Sequence, residues 1–419
     1  MAATLTTADK ILKYIYTSRA LQNAVYDKNP AFALMPKQSG FNGRSMIHAI
    51  TYGNSLARSA AFATAQSRAN INGVAAGIEG DVGKNLDVNF TVPRVKNYAT
   101  YSIEQELLLS ANGDRASFVK GLTQLVDGTL QTLKNDFGRD VFGDGSGALG
   151  QLTAVAGTTF TVGEAITQIE VGMLLVGSTG SVKTSLLRGG TGQYVTSVNR
   201  SAGTFVVNAN TDTLATGDWL FIKGDRPSAA VTNATALKIA GFDAWNPITA
   251  PSGGESFFGT DRSIDVTRLA GQRLDISALQ PEEGYITALA ALAREDGEPS
   301  HIFTSFTDEK NLKLALGSRV EAEYTAVGDI GFESIRLRGP NGTVKVYADR
   351  NAPVGYARLL QLDTWEFRHL GDLVNKGDAA GDGGMAREYQ ADRFEGRMAT
   401  YGNMFCYKPA ANMVATLPT

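Results

Sequence analysis

Apolar positions recur along this chain with two different periods. Between Asp114 and Phe142, the residues Val119, Leu122, Val126, Leu130, Leu133, Phe137 and Val141 stand three or four apart. That is the spacing of one face of a helix. Asp114 suits an N-cap and Gly143 a C-terminal stop, so the pattern predicts a helix over 114–142, roughly 40 Å long. Upstream the period is two: Leu86, Val88, Phe90 and Val92 alternate with polar residues, as in a half-buried strand. Residues 46–103 read as a long β-hairpin, two strand-rich runs joined by "AFATAQSRANINGVAAGIEGDVGK", which has no core signal. Arms of about 17 residues extend some 55 Å at about 3.3 Å per residue. A body of ~300 residues has a radius of gyration of only about 19 Å, and a lone hairpin is marginal in water. The hairpin is therefore expected to lie on a neighbouring molecule. Arg58, Arg68, Lys84, Phe90, Val92 and Arg94 are its expected assembly contacts.

The remaining pattern falls into blocks. Residues 5–28 read as a helix packing through Ile11, Ile15, Leu21 and Val25, broken by Pro30, Pro36, Gly40 and Gly43 into an irregular arm. Residues 153–224 hold no Pro, 13 Thr, 11 Gly and only 8 charged residues. Short runs such as "TFTV", "MLLVG", "QYVTSVN" and "DWLFIKGD" alternate there with turn signals, which predicts a small all-β barrel or sandwich. It interrupts an α/β pattern and reads as an insertion. Beyond Pro227, helices are expected from Pro281 to Gly297 and from the Thr307 cap to Gly317, with strands between and after them. "NKGDAAGDGGM" reads as a loop.

Composition narrows the class. The 419 residues are 43% hydrophobic but only 19% charged, below the usual quarter. Low charge suits a surface that partners cover. The net charge is −3, made of +5 over residues 1–58 and −8 over the rest. Strong overall attraction to nucleic acid is not expected from that balance. With one cysteine, Cys406, no internal disulfide can form. No secretory h-region opens the chain and no apolar run reaches the ~18 residues of a membrane span, so a soluble protein is expected.

Tests for chemistry return little. Gly145, Gly147 and Gly150 fit the dinucleotide fingerprint G-x-G-x-x-G, and Glu170 lies about 20 residues on, where a ribose ligand would stand. The fingerprint needs a strand before the glycines and a helix after them. Here the helix comes first, so Gly143, Gly145, Gly147 and Gly150 read as a flexible hinge at a helix-to-sheet corner. His48, His301 and His369 are far apart inside strand-like runs, and no metal motif or nucleophile elbow is present. Glu282 and Glu283 fit a helix N-terminus better than an acid/base pair. Asp378 and Asp382 lack the final Glu of a calcium loop. No catalytic residue, cofactor or metal is expected.

The order of parts resembles the major capsid proteins of tailed bacteriophages, the Hong Kong 97-type fold. The parts are an N-terminal arm, a long hairpin, a long helix, the corner "FGDGSGALG" at 142–150 and an α/β body. "HIFTSFTDEKNLKLAL" looks like the strand–helix unit of that family's axial domain, and "VKVYADRNAPVGYARLLQLDTWEFRHLGD" like the return strands of its peripheral domain. The ending "GRMATYGNMFCYKPAANMVATLP" is also similar.

The resemblance implies an α+β fold with an arm (1–45) and an extended hairpin, the E-loop (46–103). A peripheral domain (104–152 and 333–373) would be built on the spine helix 114–142, with Val119, Leu122, Val126, Leu130, Leu133 and Phe137 as its core. An inserted β-domain (153–226) and an axial domain (227–332 and 374–419) complete it. By the same resemblance the protein is no enzyme. It assembles with itself into pentamers and hexamers of an icosahedral shell, in a host cytoplasm. Scaffolding, portal and decoration proteins are its partners, with packaged double-stranded DNA held non-specifically and no membrane. Three alternatives stand beside this reading: an encapsulin-like compartment, a nucleotide-dependent enzyme using Gly145–Gly150, and a β-rich adhesin built on 153–224.

Overall fold

The computed structural model describes residues 18–54, 58–69, 85–106, 115–180, 187–225, 238–320, 322–327, 330–340, 342–376, 386–388 and 391–418. Its longest element is the helix Arg115–Phe142, within one residue of the predicted start. At 1.5 Å per residue its length is about 42 Å. Val126, Leu130, Leu133, Phe137 and Val141 are buried along one face. The side chains of Val119 and Leu122, also expected in this core, lie outside the described residues. Against this face pack the short helices Ser18–Tyr26 and Pro30–Leu34. Phe32 stacks on Phe137 at 5.0 Å and meets Phe367 edge-on at 5.3 Å, geometries that add to simple burial. The N-terminal arm is thus anchored in the largest core from Leu21 onward.

Two large sheets flank the helix, and they divide the chain differently from expectation. Strand Arg393–Cys406 pairs antiparallel with Val95–Glu104 over ten residues and with Trp365–His369. Lys37–Ser39, Asn375–Lys376 and Ala386–Arg387 complete this six-stranded sheet. The second sheet has seven strands in the order 272–275, 413–416, 356–360, 301–304, 342–348, 330–339, 322–327. It has its own core of Leu289, Leu292, Ile302, Leu312, Val346 and Leu359.

The expected domain boundaries therefore need correction. Residues 333–360 belong with 301–304, not with the long helix. Asn375–Lys376, Ala386–Arg387 and Arg393–Cys406 belong with the helix and its sheet, and among the described residues after 374 it is Met413–Thr416 that returns to the seven-stranded sheet. The physical reason is that alternation reveals a strand but not its partner, and these partners are distant in sequence. A smaller correction concerns the helix Phe306–Leu316. Its cap is Ser305, whose hydroxyl accepts from the Asp308 amide at 3.1 Å, rather than Thr307.

The third sheet, seven strands between Gly150 and Ile222, has a separate core of Phe160, Ile169, Leu175, Val195, Phe205 and Leu220. Gly150–Gln151 pairs with Trp219–Ile222, and Ala154–Ala156 pairs with Thr159–Thr161. The two halves of one short segment therefore hold the two ends of the strand order, and between them Leu152 N donates to Asp218 O and Thr153 N to Thr161 O, both at 2.8 Å.

The hairpin also departs from expectation. Its paired arms are Ser45–Gly53 and Leu86–Pro93, half the expected length, because Val95–Glu104 leaves to join the six-stranded sheet. Pro93 removes one ladder donor at the point of departure. Among residues 54–85, a helix at Phe62–Ala69 is described.

Candidate assembly surfaces and the glycine corner

The corner after the long helix is a packed joint. The helix ends at Phe142, and Gly145 and Gly147 both hold φ of +82°, a conformation that glycine adopts without penalty. A Cβ on Gly147 would stand 3.1 Å from Lys238 Cγ, and one on Gly150 would stand 2.5 Å from the Ala165 Cβ. Lys238 N donates to Gly145 O at 3.4 Å. These glycines serve a turn and close packing, and the helix lies on the wrong side of them to face a phosphate. A Cβ on Gly143 would make only ordinary contacts.

Under the corner lies a buried polar network. Arg139 pairs with Asp140 at 3.1 Å and Asp136 at 3.3 Å. Asn97 Nδ2 donates to Asp140 Oδ2 at 3.2 Å, and Lys238 Nζ donates to Asn97 Oδ1 at 3.3 Å and pairs with Asp225 at 3.0 Å. Burial pushes the Asp136 carboxyl above its ordinary pKa. Burial works against the Lys238 ammonium, but Asp140, Asp136 and Asp225 outweigh it and hold its pKa up. Ion pairs this deep fix geometry more than they add stability. They lock the helix end, strand Val95–Glu104 and the exit of the third sheet to one another.

The hairpin root sits on its own chain. Phe90 and Val92 are fully buried, and Phe90 packs against Trp245 at 5.5 Å and Phe257 at 6.1 Å. Thr91 N donates to Phe258 O at 2.9 Å, and Arg268 donates to Tyr52 O at 2.6 Å. Arg94 donates to Phe41 O at 3.1 Å. Phe90, Val92 and Arg94 are therefore intrachain anchors, which corrects their expected place as contacts between molecules. The sequence showed an apolar face but not which chain covers it. Arg58 is exposed, Arg68 lies on the helix Phe62–Ala69, and Lys84 falls outside the described residues. The outward face keeps Ile47 at 70% exposure, and Phe62, farther along, is 80% exposed.

Sequence reasoning missed the outer face of the long helix. Among the residues whose side chains are described, its exposed ones are Gln124, Leu125, Asp127, Gly128, Gln131 and Thr132, with one charge among the six. Leu125, Gly128, Thr129 and Thr132 line a groove of about 640 Å³ with Tyr98 and Thr100. A Cβ on Gly128 would meet nothing within 4 Å. An unneeded glycine in a helix interior costs roughly 0.5–1 kcal/mol. The signal was present in the sequence over 123–133, where Asp127 is the one ion, unusual for a helix facing solvent.

The remaining candidates are structural. His48 Nε2 lies 2.9 Å from Cys406 O inside an aromatic cluster with Trp245, Phe405 and Tyr407, and burial lowers its pKa. Burial lowers His301 to about 4, and His369 meets Gly371 O. Glu282 makes two bonds to Arg319, at 2.9 and 2.6 Å. The Cys406 thiol is buried and its pKa driven up. Asp378 and Asp382 lie outside the described residues. Among the described residues no group of three His, Cys, Asp or Glu is placed to hold a metal ion, and no helix is long and apolar enough to cross a membrane.

No family model and no curated protein matches this chain. Solved structures do. A subunit of the cyanophage A-1(L) capsid asymmetric unit is similar over 93% of each chain, at 9% identity and a TM-score of 0.50. The capsid of a native GTA particle covers 94% of this chain and 90% of its own, at 8% identity and 0.42. A chain of Gordonia phage Cozz covers 94% and 87%, at 11% identity and 0.40. The likeness to the cyanophage subunit, taken with the arm, hairpin, long helix and two flanking sheets, shows the fold. It is α+β, of the Hong Kong 97 capsid type.

Proposed function

We propose that this chain is the major capsid protein of a tailed phage, a structural rather than catalytic protein. Copies of it assemble into the icosahedral head around a double-stranded DNA genome. The observation that carries the reading is the pairing of a capsid-subunit fold across 93% of the chain with a helix face whose described exposed residues, 124–132, carry one charge. A monomer in water gains nothing from that face, from the Gly128 gap or from Ile47 and Phe62 held out to solvent. Copies packed side by side bury all of them. The outward side of one hairpin lies along the long helix and groove of the next copy. Each contact contributes little after association costs, but at about 25 cal/mol per Å² of apolar area a closed set of contacts holds a shell.

Pentamers and hexamers are the expected units, with the seven-stranded sheet of 272–360 and 413–416 forming the axial part and the sheet of 150–222 an inserted domain. The glycine corner would then be the joint about which the inserted domain is set. Scaffolding, portal and decoration proteins are the expected partners, and the virion the expected location. The near-neutral balance of charge leaves packaged DNA free to slide on the inner wall.

Negative-stain microscopy and sedimentation of the purified chain test the reading. Uniform closed shells are expected, with phage-type DNA packaging activity when the cognate packaging proteins are supplied. Shells that instead co-purify with a fixed protein cargo would support the encapsulin-like alternative. A well-folded monomer at all concentrations would overturn both.

A further inference from the structure

Two helices pack on the seven-stranded sheet and turn outward faces with little charge. On the helix Pro281–Ala293 the exposed residues are Glu283, Ile286, Thr287 and Ala290. On Phe306–Leu316 they are Phe306, Thr307, Lys310, Leu314 and Ala315. Ile286 is 43% exposed and Leu314 74%. A helix that faces water puts charged and polar residues on its outer side, whereas these two faces expose large apolar side chains and one charge each. Their inner sides are occupied by the fold, since Tyr285, Leu289, Leu292, Leu312 and Leu316 belong to the core of that sheet.

The two exposed charges are opposite in sign. Among the described residues, neither the Glu283 nor the Lys310 side chain has a hydrogen bond or ion pair in its own chain. Every other charge on the two helices does. Glu282 pairs with Arg319 at 2.6 Å and Lys313 with Glu309 at 3.0 Å. Asp308 accepts from the Ser305 hydroxyl at 2.6 Å and from Gly355 N at 3.0 Å. Glu283, in a first helical turn, also suits the macrodipole. Lys310 stands in mid-helix and gains nothing there. The spacing matches as well. Glu283 precedes Ile286, and Lys310 precedes Leu314, by one helical turn in each case.

We propose that the helix Pro281–Ala293 of one copy docks along the helix Phe306–Leu316 of a second copy, with Ile286 against Leu314 and Glu283 paired to Lys310. Helices laid side by side and running the same way bring both pairs together at once. Ala290 and Ala315 are small enough to let them approach. Charge complementarity selects the occupant, because the face with the lone anion and the face with the lone cation are both carried by this chain. Contact between two unlike faces is head-to-tail, the kind that closes rings of copies. Burial of Ile286 and Leu314 supplies the attraction, and the ion pair fixes register and excludes wrong alignments. The inference rests on the proposed self-assembly and names residues through which the axial parts of neighbouring copies meet.

Carbodiimide coupling, which joins a carboxylate to an amine in direct contact, tests it on wild-type assemblies mixed from ordinary and isotope-labelled chains. The expected product links Glu283 of one chain to Lys310 of another. Assemblies in which these two residues are not coupled across chains overturn the proposal, whether or not any variant folds. Charge exchange gives a second arm, read as the protein concentration at which half the chains sediment as assemblies. Glu283→Lys and Lys310→Glu should each raise that concentration about tenfold, and the double exchange should return it to within about threefold of wild type. Leu314→Asp should raise it further, with the melting temperature of the dissociated chain unchanged. Single variants that assemble like wild type, or a double exchange that rescues nothing, overturn the contact while wild-type shells still support the capsid reading. A wild-type chain that never associates overturns the capsid reading, and the contact with it.

Discussion

Gly241 lies so close to the end of the long helix that a Cβ there would stand 2.2 Å from the carbonyl oxygen of Val141. The neighbouring carbonyl, of Asp140, would be 2.3 Å away. Both are backbone atoms of a helix pinned by a buried core, so neither can swing aside as a side chain would. Gly241→Ala is expected to destabilise the chain by about 3 kcal/mol, the upper part of the range for overpacking. Gly143→Ala, on the helix side of the corner, meets nothing closer than 3.5 Å and should change stability little. Denaturant unfolding of the two variants side by side checks the contrast. Equal effects would mean that the joint yields more than its geometry implies.

That pair also marks what the sequence makes legible. The long helix was readable to within a residue because its apolar spacing is local. The β-rich character of 153–224 was readable from Thr-rich runs and turn signals for the same reason. Gly241 stands out in no local pattern, since its constraint comes from residues 140 and 141, a hundred positions earlier. Strand Arg393–Cys406 looks like any strand, yet its partner Val95–Glu104 lies three hundred residues away, and the domain boundaries drawn from sequence failed there. Phe90 and Val92 declared an apolar face without declaring that Trp245 and Phe257 cover it.

The hairpin separates folding from assembly. Phe90 is fully buried among Trp245 and Phe257, so Phe90→Ala removes core and should cost the isolated chain about 3–5 kcal/mol. Ile47, paired with Thr91 on the outer face of the same hairpin, is 70% exposed. Ile47→Glu should leave the melting temperature of the dissociated chain almost unchanged while lowering the yield of shells. Melting curves and sedimentation on both variants measure the two effects separately. If Ile47→Glu melts as early as Phe90→Ala, the outer face is part of the fold.

Asp349 sets a pH dependence whose sign is unusual for a carboxylate. It is fully buried, accepting from Ala31 N at 3.3 Å and Asn351 N at 2.9 Å, and burial raises its pKa to about 6 against those bonds. The folded chain therefore holds this proton more tightly than the unfolded one. The resulting stability is present below an unfolded pKa near 3.9 and is lost as pH rises through about 6, on the order of 2–3 kcal/mol. His301 runs the other way, since burial lowers its pKa to about 4. Its contribution is present above the unfolded value and is lost as pH falls through 4. The wild-type curve mixes the two, so the difference between wild type and Asp349→Asn is the diagnostic. That difference should grow in favour of the wild type from pH 7 down to pH 4.5, and a flat difference would remove Asp349 from the account.

Gly128 offers the sharpest separation of monomer from shell. In the lone chain nothing explains a glycine there, because a Cβ would enter open space in the middle of a helix. Gly128→Ala should stabilise the dissociated chain by about 0.5–1 kcal/mol through helix propensity alone. In the proposed shell the missing side chain lets a neighbour's backbone approach the groove beside Leu125 and Thr132. Gly128→Ala should then slow assembly, and Gly128→Trp, filling the groove, should block it while leaving the dissociated chain folded. Circular dichroism melting reports the first effect, and light scattering during assembly reports the second. Unimpaired shell formation by Gly128→Trp would show that the groove faces solvent in the shell, and the neighbour would have to be sought on another face of the helix.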